Sequence, residues 1–346
     1  MARITREISA GRGRSFKVVI DDRFSDDFAR GLIHGNFWIR DEWRLLQPYL
    51  PKSGGRFLDL GGHLGSFSLT AAAFGHEVTV VEASPTNASL IQASIDANHF
   101  AKMKVVTAAV YRERKALHFV ENGPYGFLIE HKADGAVEVP ALSVQEILAQ
   151  RGWDHVDLIK MDIEGSETWA VEGMHDLLAR PDAPAIFYES NGWTLHDFGH
   201  SRCQKLWAML ESLGYSNFLY WDGRTPLQPF SSADPQPEFI VNCLAVKLDR
   251  HPLKVPSPWR KRLTNFMQRC RGRLPIQCWL HDRPVGSPAT VADFIARFRA
   301  TIAAANQPYM HEHLQRELAI APDAVKRDPT IDAYLNAKTP PKAIAA

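Results

Sequence analysis

Short apolar runs alternate with segments of helical period through the middle of the chain. Short apolar runs predict buried strands, whereas recurrence near the helical period predicts helices. The predicted strands lie at 57–60, 77–82, 103–107, 156–162, 185–189, 215–220 and 239–247. The predicted helices between them lie at 65–74, 85–97, 143–150, 166–178 and 201–213. Because strands that alternate with helices form parallel sheets covered on both faces, this order predicts an α/β fold.

The last two predicted strands differ from the others, because only a loop from Asp222 to Pro237 joins them. Strands joined in this way pair antiparallel. The pattern therefore predicts a seven-stranded, mostly parallel sheet with one antiparallel edge strand and helices on both faces. The runs at 116–120 and 126–130 flank Asn122-Gly-Pro and predict a hairpin inserted before the next helix.

The N-terminal segment gives weaker signals. Phe16–Ile20 is a candidate edge strand, and an apolar stripe predicts a helix at 36–50. The Trp-rich part of that helix, residues 36–46, is a candidate surface for a partner subunit, so an oligomer is possible.

Length and composition suggest a globular chain with additions to one core domain. Its 346 residues exceed the usual single-domain size, and 45% hydrophobic and 23% charged residues are typical of globular proteins. We divide the chain into an N-terminal leader and helix at 1–50, a core domain at 51–248 and a basic, mostly helical C-terminal extension at 249–346. The last residues of this extension, from about 338, are expected to be disordered.

The near-neutral net charge hides an asymmetry. Residues 1–246 carry 23 basic and 31 acidic side chains, a balance of −8, whereas residues 247–346 carry 17 and 8, a balance of +9. The segment 254–273 has seven basic residues and no acidic one. Its simplest interpretation is a solvated helical face or a lid on the acidic domain. A weak contact with a polyanion or an anionic membrane is the alternative.

No segment of the sequence predicts a membrane span or a secretory signal peptide. There is no apolar run of the length that a membrane span needs, and the first residues lack an apolar core and a cleavage pattern. The four cysteines, Cys203, Cys243, Cys270 and Cys278, form no C-x-x-C pair, which favours reduced thiols over a disulfide framework or a zinc site. We therefore expect a cytoplasmic protein.

A glycine-rich turn carries the first functional signal. Gly61, Gly62 and Gly65 follow the strand at 57–60, and Glu82 ends the next strand. Glycines permit the positive φ and close backbone approach that such a turn needs, and the carboxylate of Glu82 is placed to accept hydrogen bonds from a ribose diol. Asp59 stands where dinucleotide-binding sequences keep an apolar residue, and it would repel a pyrophosphate. A nucleoside with an ammonium and no phosphate, S-adenosylmethionine, fits better.

These residues resemble those of a known family. The stretch Leu58-Asp-Leu-Gly-Gly-His-Leu-Gly-Ser-Phe-Ser, the stretch Val81–Asn87 and above all Asp157–Glu167 (Asp-Leu-Ile-Lys-Met-Asp-Ile-Glu-Gly-Ser-Glu) are similar to the FkbM-type S-adenosylmethionine-dependent methyltransferases. The resemblance covers roughly residues 55–246. It implies a Rossmann-like class I methyltransferase fold and O-methylation, often of a sugar or natural-product hydroxyl. The chain departs from the family pattern at Gly62-His63, where Ala-Asn is common, and at Gln145, where Asp is common.

The second motif gives the candidate catalytic residues. Asp162 and Glu164 follow a buried strand, and open α/β sheets bind ligands at the carboxyl ends of their strands. An alcohol acceptor must lose its proton, so a carboxylate or histidine beside it is needed. Asp162 is the first candidate, and Glu164 could instead contact helix amides. On the loop after the strand at 185–189, either His196 or His200 is a candidate base. Asp162, Glu164, Glu189 and these histidines could also hold a divalent cation, but no ligand spacing supports a metal, so no metal site is predicted.

The sequence thus predicts an S-adenosylmethionine-dependent O-methyltransferase with a saccharide or small-molecule acceptor. Predicted donor-binding residues are Asp59, Gly61, Gly62, His63, Gly65, Glu82 and Asp162. Two alternatives stay open at this point, a nicotinamide-dependent oxidoreductase and a methyltransferase-fold binding or scaffold module that acts through its basic tail.

Overall fold

The computed structural model divides the chain into two compact units, residues 1–261 and 262–346. It describes residues 3–22, 27–34, 39–121, 126–129, 132, 135–191, 203–220, 227–234, 240–251, 253 and 329. The first unit holds all the elements given below. The predicted boundary at residue 248 lies close to the end of the described residues and stays a prediction. The candidate contact segment 254–273 and the predicted disordered end lie outside the described residues and also stay predictions.

Strands and helices alternate in the order that the sequence pattern predicts. The first elements are β1 (Arg3–Gly11), β2 (Arg14–Asp21), α1 (Asp27–Ile33), α2 (Arg40–Leu46), β3 (Arg56–Leu60), α3 (Ser66–Ala73), β4 (Glu77–Glu82), α4 (Pro85–Asn98) and β5 (Met103–Thr107). Next come β6 (Ala109–Val110), β7 (Lys115–Val120), β8 (Phe127–Ile129), β9 (Ala136–Leu142), α5 (Val144–Arg151), β10 (Leu158–Met161), α6 (Glu167–Gly173), α7 (His175–Ala179) and β11 (Ala185–Asn191). The last are α8 (Cys203–Ser212), β12 (Ser216–Tyr220), β13 (Gln228–Phe230) and β14 (Ile240–Val246).

The main sheet is mixed and has eight strands in the described residues, in the order β13-β12-β14-β11-β10-β3-β4-β5. From β11 to β5 the strands are parallel, as predicted. The predicted count of seven was wrong, because β13 adds an edge strand. This strand is three residues long and contains Pro229, so it gives no apolar run. Proline is tolerated there because an edge strand has free backbone positions.

The reversed strand is also not where the sequence predicted it. β12 and β14 pair antiparallel, as expected, but β14 lies between β12 and β11 and not at the edge. Its side chains at Val241 and from Cys243 to Val246 are at most 2% exposed. A strand that is apolar on both faces is stable inside a sheet, where both faces are covered.

The predicted hairpin at 116–130 is confirmed and belongs to a second sheet. This insert sheet has the order β6-β9-β7-β8, with β7 antiparallel to both neighbours. It has a core of its own, in which the rings of Tyr111 and Trp169 lie 4.6 Å apart. Because β6 follows β5 after a single residue, the insert sheet stands at the carboxyl end of the main sheet.

The N-terminal segment forms a hairpin, whereas the sequence predicted only one edge strand there. β1 and β2 pair antiparallel and make a separate two-stranded sheet. Charged residues interrupt β1, so its pattern did not reveal a strand. The backbone N–H of Val19 on β2 donates to Ser94 Oγ on α4 at 2.8 Å, which attaches the hairpin to the main domain.

The Trp-rich helix is shorter than predicted and faces inward. α2 ends at Leu46, and a 3-10 turn at Gln47–Tyr49 with Pro48 follows it. Trp43 is 3% exposed and packs against Phe57 and Phe74. Trp43 is therefore not available to a partner subunit.

The predicted helix at 166–178 is divided at Gly173. A Cβ there would meet Arg112 Cα at 2.8 Å and the Tyr111 carbonyl oxygen at 2.9 Å, so close packing on the insert sheet requires glycine. Among the described residues no helix has the length and apolar character needed to cross a membrane. Cys203 and Cys243 are buried free thiols, as predicted for these two.

Candidate active site

The glycine turn after β3 is packed directly on the turn after β10. Gly61 has φ +81°, and a Cβ on it would lie only 1.8 Å from the carbonyl oxygen of Asp162. Its N–H donates to the Val81 carbonyl of β4 at 2.9 Å. The carboxyl ends of β3, β4 and β10 therefore meet at Gly61, and only glycine fits there.

Glu82 ends β4 with its carboxylate held by two backbone amides. One oxygen accepts from the N–H of His63 at 2.7 Å and the other from the N–H of Ser84 at 2.9 Å. The residue is 6% exposed, and burial raises its pKa to about 7 although both hydrogen bonds oppose the rise. His63 has φ +50°, a strained conformation for a residue with a side chain.

Asp59 lies below the turn and not in the cleft wall. Its side chain is 1% exposed, and its Oδ2 accepts from the hydroxyl of Ser68 at 2.5 Å. Burial raises its pKa, while the nearby ammonium of Lys160, 3.7 Å from Oδ1, acts in the opposite direction. Lys160 faces Asp59 across the β3–β10 pair.

Glu167 determines the shape of the turn after β10. Its two carboxylate oxygens accept from the N–H groups of Ile163 and Gly165, each at 3.0 Å. Between them Glu164 adopts φ +50°. Burial raises the pKa of Glu167 to about 7. Strained residues persist where the surroundings hold them, and His63 and Glu164 both border the same cleft.

This cleft opens at the carboxyl ends of β3, β4 and β10. It has about 600 Å³ of space including its solvent-open part. Part of its lining is polar and acidic, here called the acidic wall: Gly61, His63, Glu82, Asp162 and Glu164. Another part, here called the apolar wall, comes from the segment after β5 and from the insert sheet and includes Ala109, Phe119 and Leu128. The cleft therefore has a polar, acidic wall and an apolar wall.

A group of three carboxylates lies at the acidic end. Oxygens of Asp162, Glu164 and Glu189 all lie within 4.8 Å of one another, so these side chains could hold a cation. Burial, with the charge of Asp162, raises the pKa of Glu189 well above its ordinary value. Lys160 already pairs with Asp162 at 3.2 Å. The group is therefore partly neutralised by the protein itself.

Residues 59–216 match the family model of the FkbM methyltransferase domain. The chain contains an FkbM methyltransferase domain. The resemblance inferred from the motifs is thereby confirmed, and the methyltransferase interpretation holds over the nicotinamide alternative. The family implies S-adenosylmethionine as the methyl donor. No curated protein matches the sequence.

Several solved structures are similar to the methyltransferase domain at low identity. A precorrin-6y C5,15-methyltransferase from Geobacter metallireducens GS-15 is 14% identical, with 66% of this chain and 95% of that chain covered and a TM-score of 0.36. A TehB-like SAM-dependent methyltransferase from Corynebacterium glutamicum ATCC 13032 is 16% identical, with 63% and 92% covered and a TM-score of 0.37. A SAM-dependent methyltransferase from Agrobacterium tumefaciens is 14% identical, with 71% and 70% covered and a TM-score of 0.36. At these identities and TM-scores, the similarities do not indicate the methyl acceptor or the role of any residue of this chain.

The methyltransferase domain brings five of the predicted site residues together in one cleft: Gly61, His63, Glu82, Asp162 and Glu164. Asp59, Gly62 and Gly65 are not among the residues that line it. A Cβ on Gly62 would lie 2.2 Å from the Val80 side chain, and Gly65 has φ +80° at the start of α3. His196 lies outside the described residues, so its role as a base stays a prediction.

Sequence reasoning missed the apolar wall and the brace at Glu167. Phe119 and Leu128 were assigned to the hairpin, but nothing in their pattern indicated which strands the hairpin would face. Glu167 stands at the start of a predicted helix, where a carboxylate is also explained by the helix dipole alone. Its position two residues after Gly165 in an Asp-x-Glu-Gly-x-Glu string is a signal of a turn held by a carboxylate.

Proposed function

We propose that this protein transfers the methyl group of S-adenosylmethionine to a hydroxyl of a saccharide or small natural product. The observation that carries this proposal is the cleft in which Glu82 ends one strand and Asp162 follows another, with both carboxylates in the wall. One carboxylate suits a ribose and the other a hydroxyl that must lose its proton.

The acidic wall fits the donor in charge and in hydrogen bonding. Each oxygen of Glu82 already accepts one backbone N–H and keeps a second lone pair that can accept a ribose hydroxyl. The apolar wall with Ala109 and Phe119 suits a flat base. The described residues that line the cleft include three carboxylates and no Lys or Arg, which favours a sulfonium nucleoside over a dinucleotide.

Asp59 acts indirectly in this proposal. It was predicted to bind the donor ammonium, but it is 1% exposed and is engaged by Ser68 and Lys160. We therefore assign it to holding the start of α3 and the ammonium of Lys160 in position. Gly62 and Gly65 act in the same way, because they let the backbone turn without entering the cleft.

Asp162 is proposed to receive the acceptor's proton. Bound S-adenosylmethionine supplies an electrophilic methyl group. As the acceptor oxygen forms its bond to carbon, the carbon–sulfur bond breaks with its electron pair on sulfur, and the hydroxyl proton passes to a carboxylate oxygen of Asp162. The side chain of Asp162 is 36% exposed, so a proton can leave it for solvent. Glu164 and Glu189 lie close enough to orient the other hydroxyls of a polyol.

Calorimetry with S-adenosylhomocysteine tests the donor site of the full chain. We expect binding by the wild type, loss of at least tenfold in affinity in Glu82→Gln and no change in Glu138→Gln, an exposed carboxylate on β9. Binding of a nicotinamide dinucleotide in preference would contradict the proposal. Mass spectrometry of saccharide and natural-product extracts incubated with isotopically labelled methyl donor then tests the acceptor class, and label on an amine or carbon would overturn O-methylation.

A further inference from the structure

The cleft is rich in negative charge and its only adjacent buried cation, among the described residues, is Lys160. Three carboxylates line the cleft, those of Glu82, Asp162 and Glu164, and no lining residue is Lys or Arg. Lys160 is 6% exposed and lies just beneath, where its Nζ donates to the carbonyl oxygen of Gly61 at 2.7 Å. The ammonium is thus in contact with the floor of the donor site.

Two oxygens lie within hydrogen-bond distance of this ammonium, and a third carboxylate oxygen forms a longer ion pair with it. Besides Gly61 O, Nζ lies 3.2 Å from Asp162 Oδ2 and 3.7 Å from Asp59 Oδ1. Burial lowers the pKa of Lys160, but Asp162 and Asp59 raise it by more, so the group stays charged. A charged ammonium has no lone pair and cannot take a proton from an acceptor. Lys160 is therefore a fixed charge and not a base.

We propose that Lys160 is a positioning residue that sets the charge preference of the donor site. Its ammonium contacts both Gly61 in the glycine turn and Asp162. Its positive charge offsets the negative charge of the carboxylates nearby. The inference rests on the proposed function, and it concerns the ratio of the affinities for the methyl donor and for its demethylated product. The methyl donor has a positive sulfonium, whereas its demethylated product has a neutral thioether. Without a buried cation the acidic wall would bind the donor far more tightly than the product. With Lys160 in place the site holds both forms.

The ratio of two dissociation constants isolates this effect. S-adenosylmethionine and S-adenosylhomocysteine share every group except the methyl on sulfur, so damage to the shape of the site weakens both. Removal of a nearby positive charge strengthens the cationic ligand alone. For one charge at close range and an effective dielectric constant near 20, the affinity ratio of donor to product should rise about tenfold or more.

The experiment is calorimetry of both ligands with the full chain and four variants. Lys160→Met should raise the donor-to-product affinity ratio about tenfold, whereas Lys160→Arg, which keeps the charge, should leave it within about twofold of the wild type. Lys205→Met is the matched control, because Lys205 is 56% exposed and pairs with Glu172 on the surface. The double variant Asp59→Asn/Lys160→Met removes one charge of each sign and should restore the ratio.

Each outcome decides between distinct conclusions. A wild type that binds neither ligand overturns the proposed function and this inference with it. A wild type that binds both, with an unchanged ratio in folded Lys160→Met, overturns the inference alone. If Lys160→Met does not fold, Lys160→Gln takes its place, because the amide removes the charge and can still donate a hydrogen bond: a raised ratio supports the inference and an unchanged ratio rejects it. A ratio in the double variant that differs from the wild type by tenfold would also reject the inference.

Discussion

The carboxylate of Glu167 accepts a hydrogen bond from the backbone N–H of Gly165 at 3.0 Å, two residues earlier in the chain. Its other oxygen accepts from Ile163, so one buried side chain fixes the loop that carries Asp162 and Glu164. The brace explains how Glu164 is held at φ +50° beside the cleft.

Replacement of this brace should damage both stability and binding. In Glu167→Gln the amide NH₂ faces one of the two N–H groups, so one buried hydrogen bond is lost, at a cost of about 1–3 kcal/mol. Urea unfolding at pH 5 measures this cost, because burial raises the pKa of Glu167 to about 7 and the folded protein then holds this carboxyl protonated, so that the comparison with Gln involves no buried charge. Glu172→Gln on the same helix is the control, because Glu172 makes only long surface ion pairs, with Arg112 at 3.7 Å and Lys205 at 3.6 Å. Equal losses in both variants would show that the brace is unimportant.

Three glycines with similar φ should respond very differently to alanine. Gly61, Gly65 and Gly75 have φ of +81°, +80° and +89°. A Cβ meets Asp162 O at 1.8 Å in the first case, makes ordinary contacts in the second and has open space in the third. We expect about 1–2 kcal/mol of destabilisation from φ alone in Gly65→Ala and Gly75→Ala. Gly61→Ala should lose several times more stability or fail to fold. Thermal unfolding of the three variants measures the difference. Similar losses at all three positions would contradict the close packing of the two turns.

Stability should fall as pH rises from about 4.5 to about 7. Burial raises the pKa of both Glu82 and Glu167 from 4.5 to about 7, so between these values the folded protein binds more protons than the unfolded chain. Stability from this source is complete below pH 4.5 and is lost as pH rises through 7, by up to about 3 kcal/mol for each group. Urea unfolding against pH in the wild type and in Glu82→Gln measures the slope. The variant should lose the part of the slope due to Glu82, while Asp59, Glu167 and Glu189, whose pKa values are also raised by burial, keep the rest. An unchanged slope would reject the assignment to Glu82.

Asp162→Asn should separate donor binding from methyl transfer. The amide cannot take the acceptor's proton, so turnover of an acceptor found by isotope labelling should fall about a hundredfold or more. The affinity for S-adenosylhomocysteine should stay within about tenfold of the wild type, because the groups that hold its nucleoside are elsewhere. Glu164→Gln is the comparison. A larger loss of turnover in that variant would make Glu164 the base.

The sequence predicted the parallel part of the sheet and most of the acidic wall. Both depend on local signals, namely buried apolar runs and the residues that directly follow them. Gly61, Glu82 and Asp162 all end or follow such a strand, so the meeting of strand ends brings them together.

The remaining parts depend on contacts between distant segments. β14 enters the sheet between β11 and β12 because both of its faces are apolar, but the pattern alone does not choose among neighbours. Asp59 was placed in the site because it precedes the glycines. Its side chain instead turns to Ser68 and Lys160, since a buried carboxylate needs partners. The apolar wall could not be foreseen because it comes from the insert sheet.

Lys160 and Gly61 are joined by a hydrogen bond although 99 residues separate them. A chain emerging from the ribosome completes β3 and β4 long before β10 exists. The donor site can therefore appear only at a late stage, when β10 has inserted beside β3 and closed a long loop. Binding of S-adenosylhomocysteine can be measured for chains released from the ribosome at increasing lengths. We expect binding only by chains that extend beyond residue 165.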